Sequence, residues 1–113
     1  MTDRIRIRKS EGTWVVRAGG AVLGESRDAL ELNEPGHAPL IFFPRGDIAM
    51  AFLEPSDKVS ENPGKGDARY YSIQTKSELI RDAALSYEAP ESALADLAGY
   101  LTFASEKVAV EQL

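Results

Sequence analysis

The sequence predicts a mainly β, antiparallel single domain that spans residues 1–113 and carries one or two short helices. Short runs rich in β-branched and aromatic residues recur along the chain, and turn-forming residues separate them. The pair Gly19-Gly20 lies between two such runs, as it would in a two-residue hairpin. A chain of 113 residues with 43% hydrophobic content suits one compact core.

The first half of the chain is predicted to consist mainly of strands. The second of these runs places Trp14, Val16 and Ala18 on one face. Gly19-Gly20 then turns the chain, because glycine reaches the positive φ angles of a primed turn without steric cost. The five predicted strands of this half are residues 4–9, 13–18, 21–26, 29–32 and 40–43.

The period of the apolar residues changes after Pro44. Proline is tolerated in the first turn of a helix, and the charge of Asp47 suits the positive end of the helix dipole. Apolar residues then recur at helical spacing. We therefore predict a short helix over residues 45–54, ended by Pro55.

The second half contains the clearest predicted strand, residues 68–75. Alternation along it places Tyr70 and Tyr71 on opposite faces, so that one packs in the core and the other can line a groove. The other predicted elements are a brief strand at 57–59, a hairpin partner at 79–87, one helical turn after Pro90, a further strand and a last strand at 108–112.

Charge and composition exclude several classes of function. The net charge of -5 and the pI near 4.9 argue against binding of nucleic acid, which favours a clustered basic excess. One basic cluster alternates with isoleucine near the N-terminus, which is typical of a strand with one solvated face; the alternative is a binding patch. The cluster consists of Arg4, Arg6, Arg8 and Lys9.

The absence of cysteine excludes disulfides, thiolate zinc sites, cysteine nucleophiles and iron–sulfur clusters. It fits a cytoplasmic location, and the chain has neither a membrane-length apolar run nor a signal segment, so no membrane partner is expected. No cofactor is predicted. The one histidine, His37, lies among turn-forming residues and is expected to be a solvated side chain.

The segment from residue 60 to residue 73 is the most promising ligand-contacting loop. It places Lys65 between Gly64 and Gly66, directly before the clearest strand. A lysine offers three donors and a positive charge to an anionic ligand, and nearby backbone N–H groups can add to an anion site. The structural alternative is that both glycines serve a turn while Lys65 lies along a neighbour or in solvent. The loop does not match the phosphate-binding P-loop pattern.

Four acidic residues lie near loops or element ends, where two of them could meet to hold a divalent cation. No two stand at a diagnostic spacing, and Asp47 and Asp67 are simply explained as a helix-end charge and a turn residue. The four are Glu34, Asp47, Asp67 and Glu88.

The chain resembles the bacterial domain-of-unknown-function 427 family, which family naming also labels a nucleotidyltransferase domain. The resemblance implies a β-tent-like fold, in which antiparallel sheets lean together over a groove. Many relatives have Cys-Pro-Tyr-Lys-Gly where this chain has Asn62 to Gly66, and tryptophan where it has Leu85. The matching segments are residues 17–26, Glu34-Pro35, Ile41 to Pro44, Asp47, Pro63 to Ala68, Tyr70-Tyr71, Ser86 to Glu88, and Pro90.

These observations favour a binding module with a groove for a small polar or anionic ligand. One alternative is a small enzyme that acts on a nucleotide or another phosphorylated compound, as the family label suggests. Another is an oligomerising scaffold, in which copies of the chain form a homo-oligomer. The candidate ligand-binding residues are Lys65, Gly66, Tyr71, Tyr87, Glu34, Glu88 and Asp47.

Overall fold

The computed structural model describes residues 5–113 as ten strands and three short 3-10 helices. Within that range no helix is long and apolar enough to cross a membrane. The 3-10 helices are Arg45–Asp47, Met50–Phe52 and Ser92–Leu97. The strands are β1 Arg6–Lys9, β2 Trp14–Ala18, β3 Ala21–Ser26, β4 Leu30–Asn33, β5 Leu40–Phe42, β6 Leu53–Asn62, β7 Gly66–Gln74, β8 Leu79–Tyr87, β9 Thr102–Phe103 and β10 Val108–Gln112.

The strands form three antiparallel sheets. Sheet 1 has the order β1-β4-β5, sheet 2 the order β10-β2-β3, and sheet 3 the order β6-β7-β8-β9. The hairpin at Gly19-Gly20 pairs Ala18 with Ala21, as the sequence predicts. The prediction of a mainly β, antiparallel fold is confirmed.

Sheet 3 contributes residues to two hydrophobic cores, one on each of its faces. One face packs against sheet 2 in a first core that includes Val16, Leu23 and Ile73. The other face packs against sheet 1 and the 3-10 helix Ser92–Leu97 in a second core that includes Phe42. Burial of apolar area on both faces is the main driving force for this layering.

The predicted helix over residues 45–54 is wrong. Two separate 3-10 turns replace it, because the backbone between them is extended and pairs with sheet 2. Ile48 forms a bridge to Gly24, and the Ala49 N–H donates to the Leu23 carbonyl at 2.7 Å. These tertiary hydrogen bonds satisfy groups that a helix would otherwise pair internally, and they override the helical spacing of the apolar residues.

The prediction of a brief strand at residues 57–59 is wrong in extent, because β6 runs from Leu53 to Asn62. Pro55 lies inside it rather than ending a helix. A proline is tolerated there because β6 is an edge strand and the register shifts between Pro55 and Val59.

The N-terminal strand has the solvated face that its alternation predicts. Ile5 and Ile7 pack against the second core, whereas Arg6 and Arg8 are exposed. Arg4 lies outside the described residues. His37 is exposed in its loop, in agreement with the prediction.

Candidate functional site

The loop between β6 and β7 is fixed against the segment that follows β8. The Glu91 N–H donates to the Lys65 carbonyl at 2.8 Å. Gly66 has φ +113°, and a Cβ added there would lie 3.0 Å from Pro90 Cα and 3.1 Å from the Ala89 carbonyl oxygen. Gly66 is therefore required both by its backbone conformation and by this close approach.

Lys65 does not extend into solvent. Its Nζ lies 2.8 Å from Glu34 Oε1, and the two side chains are 23% and 24% exposed. Glu34 directly follows β4 of sheet 1, and Lys65 directly precedes β7 of sheet 3. The ion pair therefore bridges two sheets through residues 31 positions apart in the chain.

Tyr87 lies near this pair at the end of β8. Its side chain packs against Phe42, with ring centroids 6.3 Å apart, and only 7% of the residue is exposed. Its hydroxyl has no hydrogen-bond partner among residues 5–113. Because no enclosed side-chain oxygen or nitrogen in that range lacks a partner, this hydroxyl must reach the surface.

Burial raises the pKa of Tyr87 above its ordinary value, since a low-dielectric surrounding disfavours the phenolate. The positive charge of Lys65 lowers this pKa, and Tyr70 and Glu34 raise it by smaller amounts. The hydroxyl is therefore electrostatically coupled to the Lys65–Glu34 pair and stays protonated at neutral pH.

A small cavity opens beside the ion pair. It has a volume of about 220 Å³. Polar and apolar groups share its wall. The lining residues are Leu32, Glu34, His37, Ala38, Leu40 and Lys65. We call the cavity, the ion pair and the Tyr87 hydroxyl the Lys65 cleft.

Tyr71 and Glu88 belong to a second cluster. The Tyr71 hydroxyl donates to Glu88 Oε2 at 2.6 Å, and Arg45 Nη2 lies 3.1 Å from the same oxygen. Arg45 also donates to the Tyr71 hydroxyl at 3.3 Å and approaches the buried Ser86 Oγ at 3.5 Å. Both Arg45 Nη atoms, the Tyr71 hydroxyl and Glu88 Oε2 are paired within this cluster, while the Arg45 and Glu88 side chains are 36% and 44% exposed.

The two clusters lie on opposite faces of sheet 3. Tyr71 packs in the first core and is in register with Ala84, whereas Tyr87 packs in the second core and is in register with Ala68. The structure therefore does not bring Tyr71 and Tyr87 into the single groove that the sequence analysis expects.

Asp47 lies apart from both clusters. Its Oδ2 accepts a hydrogen bond from Ser26 Oγ at 2.6 Å, which ties the 3-10 helix Arg45–Asp47 to the end of β3. Of the candidate residues, Lys65, Gly66, Glu34 and Tyr87 thus come together, Tyr71 and Glu88 form a separate pair, and Asp47 stands alone.

The acids that the sequence analysis considered for a metal do not converge. Glu34 pairs with Lys65, Glu88 with Arg45, and Asp47 with Ser26. Within the described part of the chain, no three His, Cys, Asp or Glu side chains are placed to hold a metal ion together.

Sequence reasoning missed Arg45 and Ser86. Arg45 carries no local signal, because its partner Glu88 is 43 positions away. Ser86 did carry a local sequence signal, because it is a polar residue inside a run of apolar residues on a strand with both faces buried. Such a residue needs a hydrogen-bond partner, which the structure supplies.

Tyr87 is expected to make the protein less stable as pH rises into the alkaline range. Its raised pKa means that the folded state holds the phenol proton more tightly than the unfolded chain does. The resulting stabilisation is complete below the unfolded pKa near 10 and is lost as pH rises through the folded pKa. As pH rises above about 10, Tyr87→Phe is expected to lose less unfolding free energy than the wild type, as measured by urea unfolding.

The matched control for this titration is Tyr100→Phe, which removes a hydroxyl from a partly buried tyrosine that packs against the second core. Its stability should fall with pH as the wild type's does. An identical alkaline loss in the wild type and Tyr87→Phe would show that Tyr87 is not the group responsible.

The fold and the site define an antiparallel β protein with a small cleft beside an ion pair that bridges two sheets. A scan against protein-family models matches residues 6–112 to the family described as Domain of unknown function (DUF427), whose model is named NTP_transf_9. The match spans nearly the whole chain, so the chain belongs to this family. A search of curated proteins gives no match.

Proposed function

We propose that the protein is a binding module that holds a small polar or anionic ligand in the Lys65 cleft. The observation that carries the proposal is a partly buried ion pair, Lys65–Glu34 at 2.8 Å, on the wall of a cavity. An ammonium group can make up to three hydrogen bonds and a carboxylate can accept several. Each partner therefore keeps hydrogen-bonding capacity that a ligand can use.

The Tyr87 hydroxyl supports the same function. It is coupled to the ion pair, reaches the surface and lacks a protein partner among the described residues. A phenol can both donate and accept, so it complements a polar ligand of either kind. In contrast, the Tyr71 hydroxyl already donates to Glu88 and accepts from Arg45.

A purely structural role for the ion pair explains less. Removing two charges from water costs free energy that their attraction recovers only in part, so such pairs are weak evidence for a stabilising role. A purely structural role also does not explain why a cavity adjoins the ion pair or why the Tyr87 hydroxyl lacks a protein partner among the described residues. The nucleotidyltransferase alternative rests on the name of the family model alone. The cytoplasmic location and the homo-oligomer are predictions from the sequence.

A thermal-shift screen of small polar and anionic compounds tests the proposal, with nucleotides included in the presence and absence of magnesium. A ligand at about a hundred times its Kd stabilises the folded state by about 2.7 kcal/mol. The stabilisation should disappear in Lys65→Met and persist in Lys76→Met, which removes an exposed lysine in the turn between β7 and β8.

Either of two results would contradict the proposal: no compound raises Tm, or the ligand stabilises Lys65→Met as well as the wild type. A rise that occurs for nucleotides only with magnesium and is lost in Lys65→Met would favour the enzyme instead.

A further inference from the structure

The wall of the cavity in the Lys65 cleft carries one charge of each sign. Among the lining residues, Lys65 is the cation and Glu34 the anion, and the formal charges cancel when His37 is counted as neutral. A ligand with a single charge would be attracted by one member of the pair and repelled by the other, only 2.8 Å away. The wall therefore selects neither a simple anion nor a simple cation.

The ion pair keeps hydrogen-bonding capacity at both of its ends. Within residues 5–113, the side-chain hydrogen bond of each partner is the one that joins Lys65 Nζ to Glu34 Oε1. Nζ therefore has two further N–H groups to donate, and Glu34 Oε2 is able to accept. Both side chains line the cavity and are partly exposed. The pair thus presents a charged donor and a charged acceptor side by side.

The short distance within the pair sets a second condition on a ligand. Lys65 Nζ and Glu34 Oε1 are 2.8 Å apart, so a ligand that meets both charges needs its own opposite charges similarly close together. In an α-amino acid, a single carbon atom joins the ammonium to the carboxylate. With the ammonium at Glu34 and the carboxylate at Lys65, the four charges alternate in sign and each neighbouring pair attracts.

The apolar part of the wall suits a small side chain. Leu32 and Leu40 are in register across β4 and β5, so they lie side by side on one face of sheet 1. Leu40 is 44% exposed, which leaves apolar area that a ligand can cover. The cavity, about 220 Å³, is smaller than the about 300–1,000 Å³ of pockets that hold drug-sized ligands. The ligand is therefore a small molecule.

We propose that the Lys65 cleft binds a free α-amino acid with a small apolar side chain, in its zwitterionic form. The carboxylate accepts hydrogen bonds from Lys65 Nζ, the ammonium donates to Glu34 Oε2, and the side chain packs against Leu40. This inference rests on the proposed function and names the class of its ligand.

L-Valine and three analogues test this class by NMR titration, with the backbone amide signals of Ala38 and Leu40 as reporters of the cavity wall. L-Valine should shift these signals saturably. 3-Methylbutanoate lacks the ammonium and 2-methylpropylamine lacks the carboxylate, so each should bind at least about tenfold more weakly through the loss of a charge-assisted contact. 5-Aminopentanoate, an isomer of L-valine, should also bind more weakly, because its two charges lie at opposite ends of the chain.

Two variants should change affinity in opposite directions for different ligands. Glu34→Gln should bind L-valine at least about tenfold more weakly, but 3-methylbutanoate more tightly, because Lys65 loses its competing anion. Lys65→Met should likewise weaken L-valine and strengthen 2-methylpropylamine. A variant that fails to fold cannot gain affinity, so these gains separate a lost contact from a lost structure. Glu106→Gln and Lys76→Met change exposed residues outside the cavity wall and should bind as the wild type does.

Three results would overturn this inference and leave the proposed function standing. They are an analogue that binds as tightly as L-valine, unchanged L-valine affinity in Glu34→Gln, and amide signals that respond to a compound from the thermal-shift screen but not to L-valine at tens of millimolar. If neither L-valine nor any compound of that screen shifts the signals, the proposed function fails with the inference.

Discussion

Replacement of Gly66 by alanine is expected to lower the free energy of unfolding by about 2–4 kcal/mol. The backbone at Gly66 has φ +113°, which an L side chain rarely adopts. In addition, the new Cβ would lie 3.0 Å from Pro90 Cα, a backbone atom that cannot move away alone. The loop would have to separate from the segment after β8, and the Lys65–Glu34 pair would move with it.

Gly64→Ala is the matched control for this variant. Gly64 also has a positive φ, +84°, but a Cβ added there would meet nothing within 4 Å. Its substitution should therefore cost the conformational strain alone, about 1 kcal/mol. Urea unfolding of both variants measures the difference, and equal losses would show that the approach to Pro90 is not important.

Replacement of Gly24 by alanine is expected to cost about 2–3 kcal/mol for a different reason. Gly24 has no positive φ, so the effect is steric. The added Cβ would overlap the Asp47 carbonyl oxygen and lie 2.7 Å from Ile48 Cδ1. Segment 45–49 would be forced away from β3, and the Ser26–Asp47 hydrogen bond would be strained.

The comparison for Gly24→Ala is Gly46→Ala, in the segment that packs against Gly24. Gly46 has no positive φ, and a Cβ there would meet nothing within 4 Å. The urea midpoint of unfolding of this variant should be close to that of the wild type. If Gly24→Ala and Gly46→Ala change the urea midpoint equally, the close packing of β3 against residues 47 and 48 does not stabilise the fold.

Strand boundaries were predictable wherever local patterns decide them. The strands at residues 21–26, 79–87 and 108–112 agree with the sequence prediction at both ends. Their alternation and turn residues are properties of the segments themselves. In contrast, the helix over residues 45–54 failed because Ile48 and Ala49 pair with a strand more than 20 residues away.

The arrangement of the site was predictable only in part. The position of Lys65 between two glycines marked the loop, but its partner Glu34 comes from another sheet. Tyr71 pairs with Ala84 and Tyr87 with Ala68 in one continuous register, so alternation places the two tyrosines on opposite faces of sheet 3. The sequence does not give this register in advance, because the pairing of β7 with β8 shifts between Tyr71 and Ile73, nearer the turn.

The most direct test of the Lys65 cleft is the ¹³Cζ NMR spectrum of protein labelled at its four tyrosines, recorded with a ligand from the thermal-shift screen. Tyr→Phe variants assign the four signals. We expect the Tyr87 signal to move with ligand concentration and the Tyr71 signal to stay, because the Tyr71 hydroxyl is bound to Glu88 on the opposite face. Movement of the Tyr71 signal without the Tyr87 signal, or of neither at saturation, would contradict binding in the cleft.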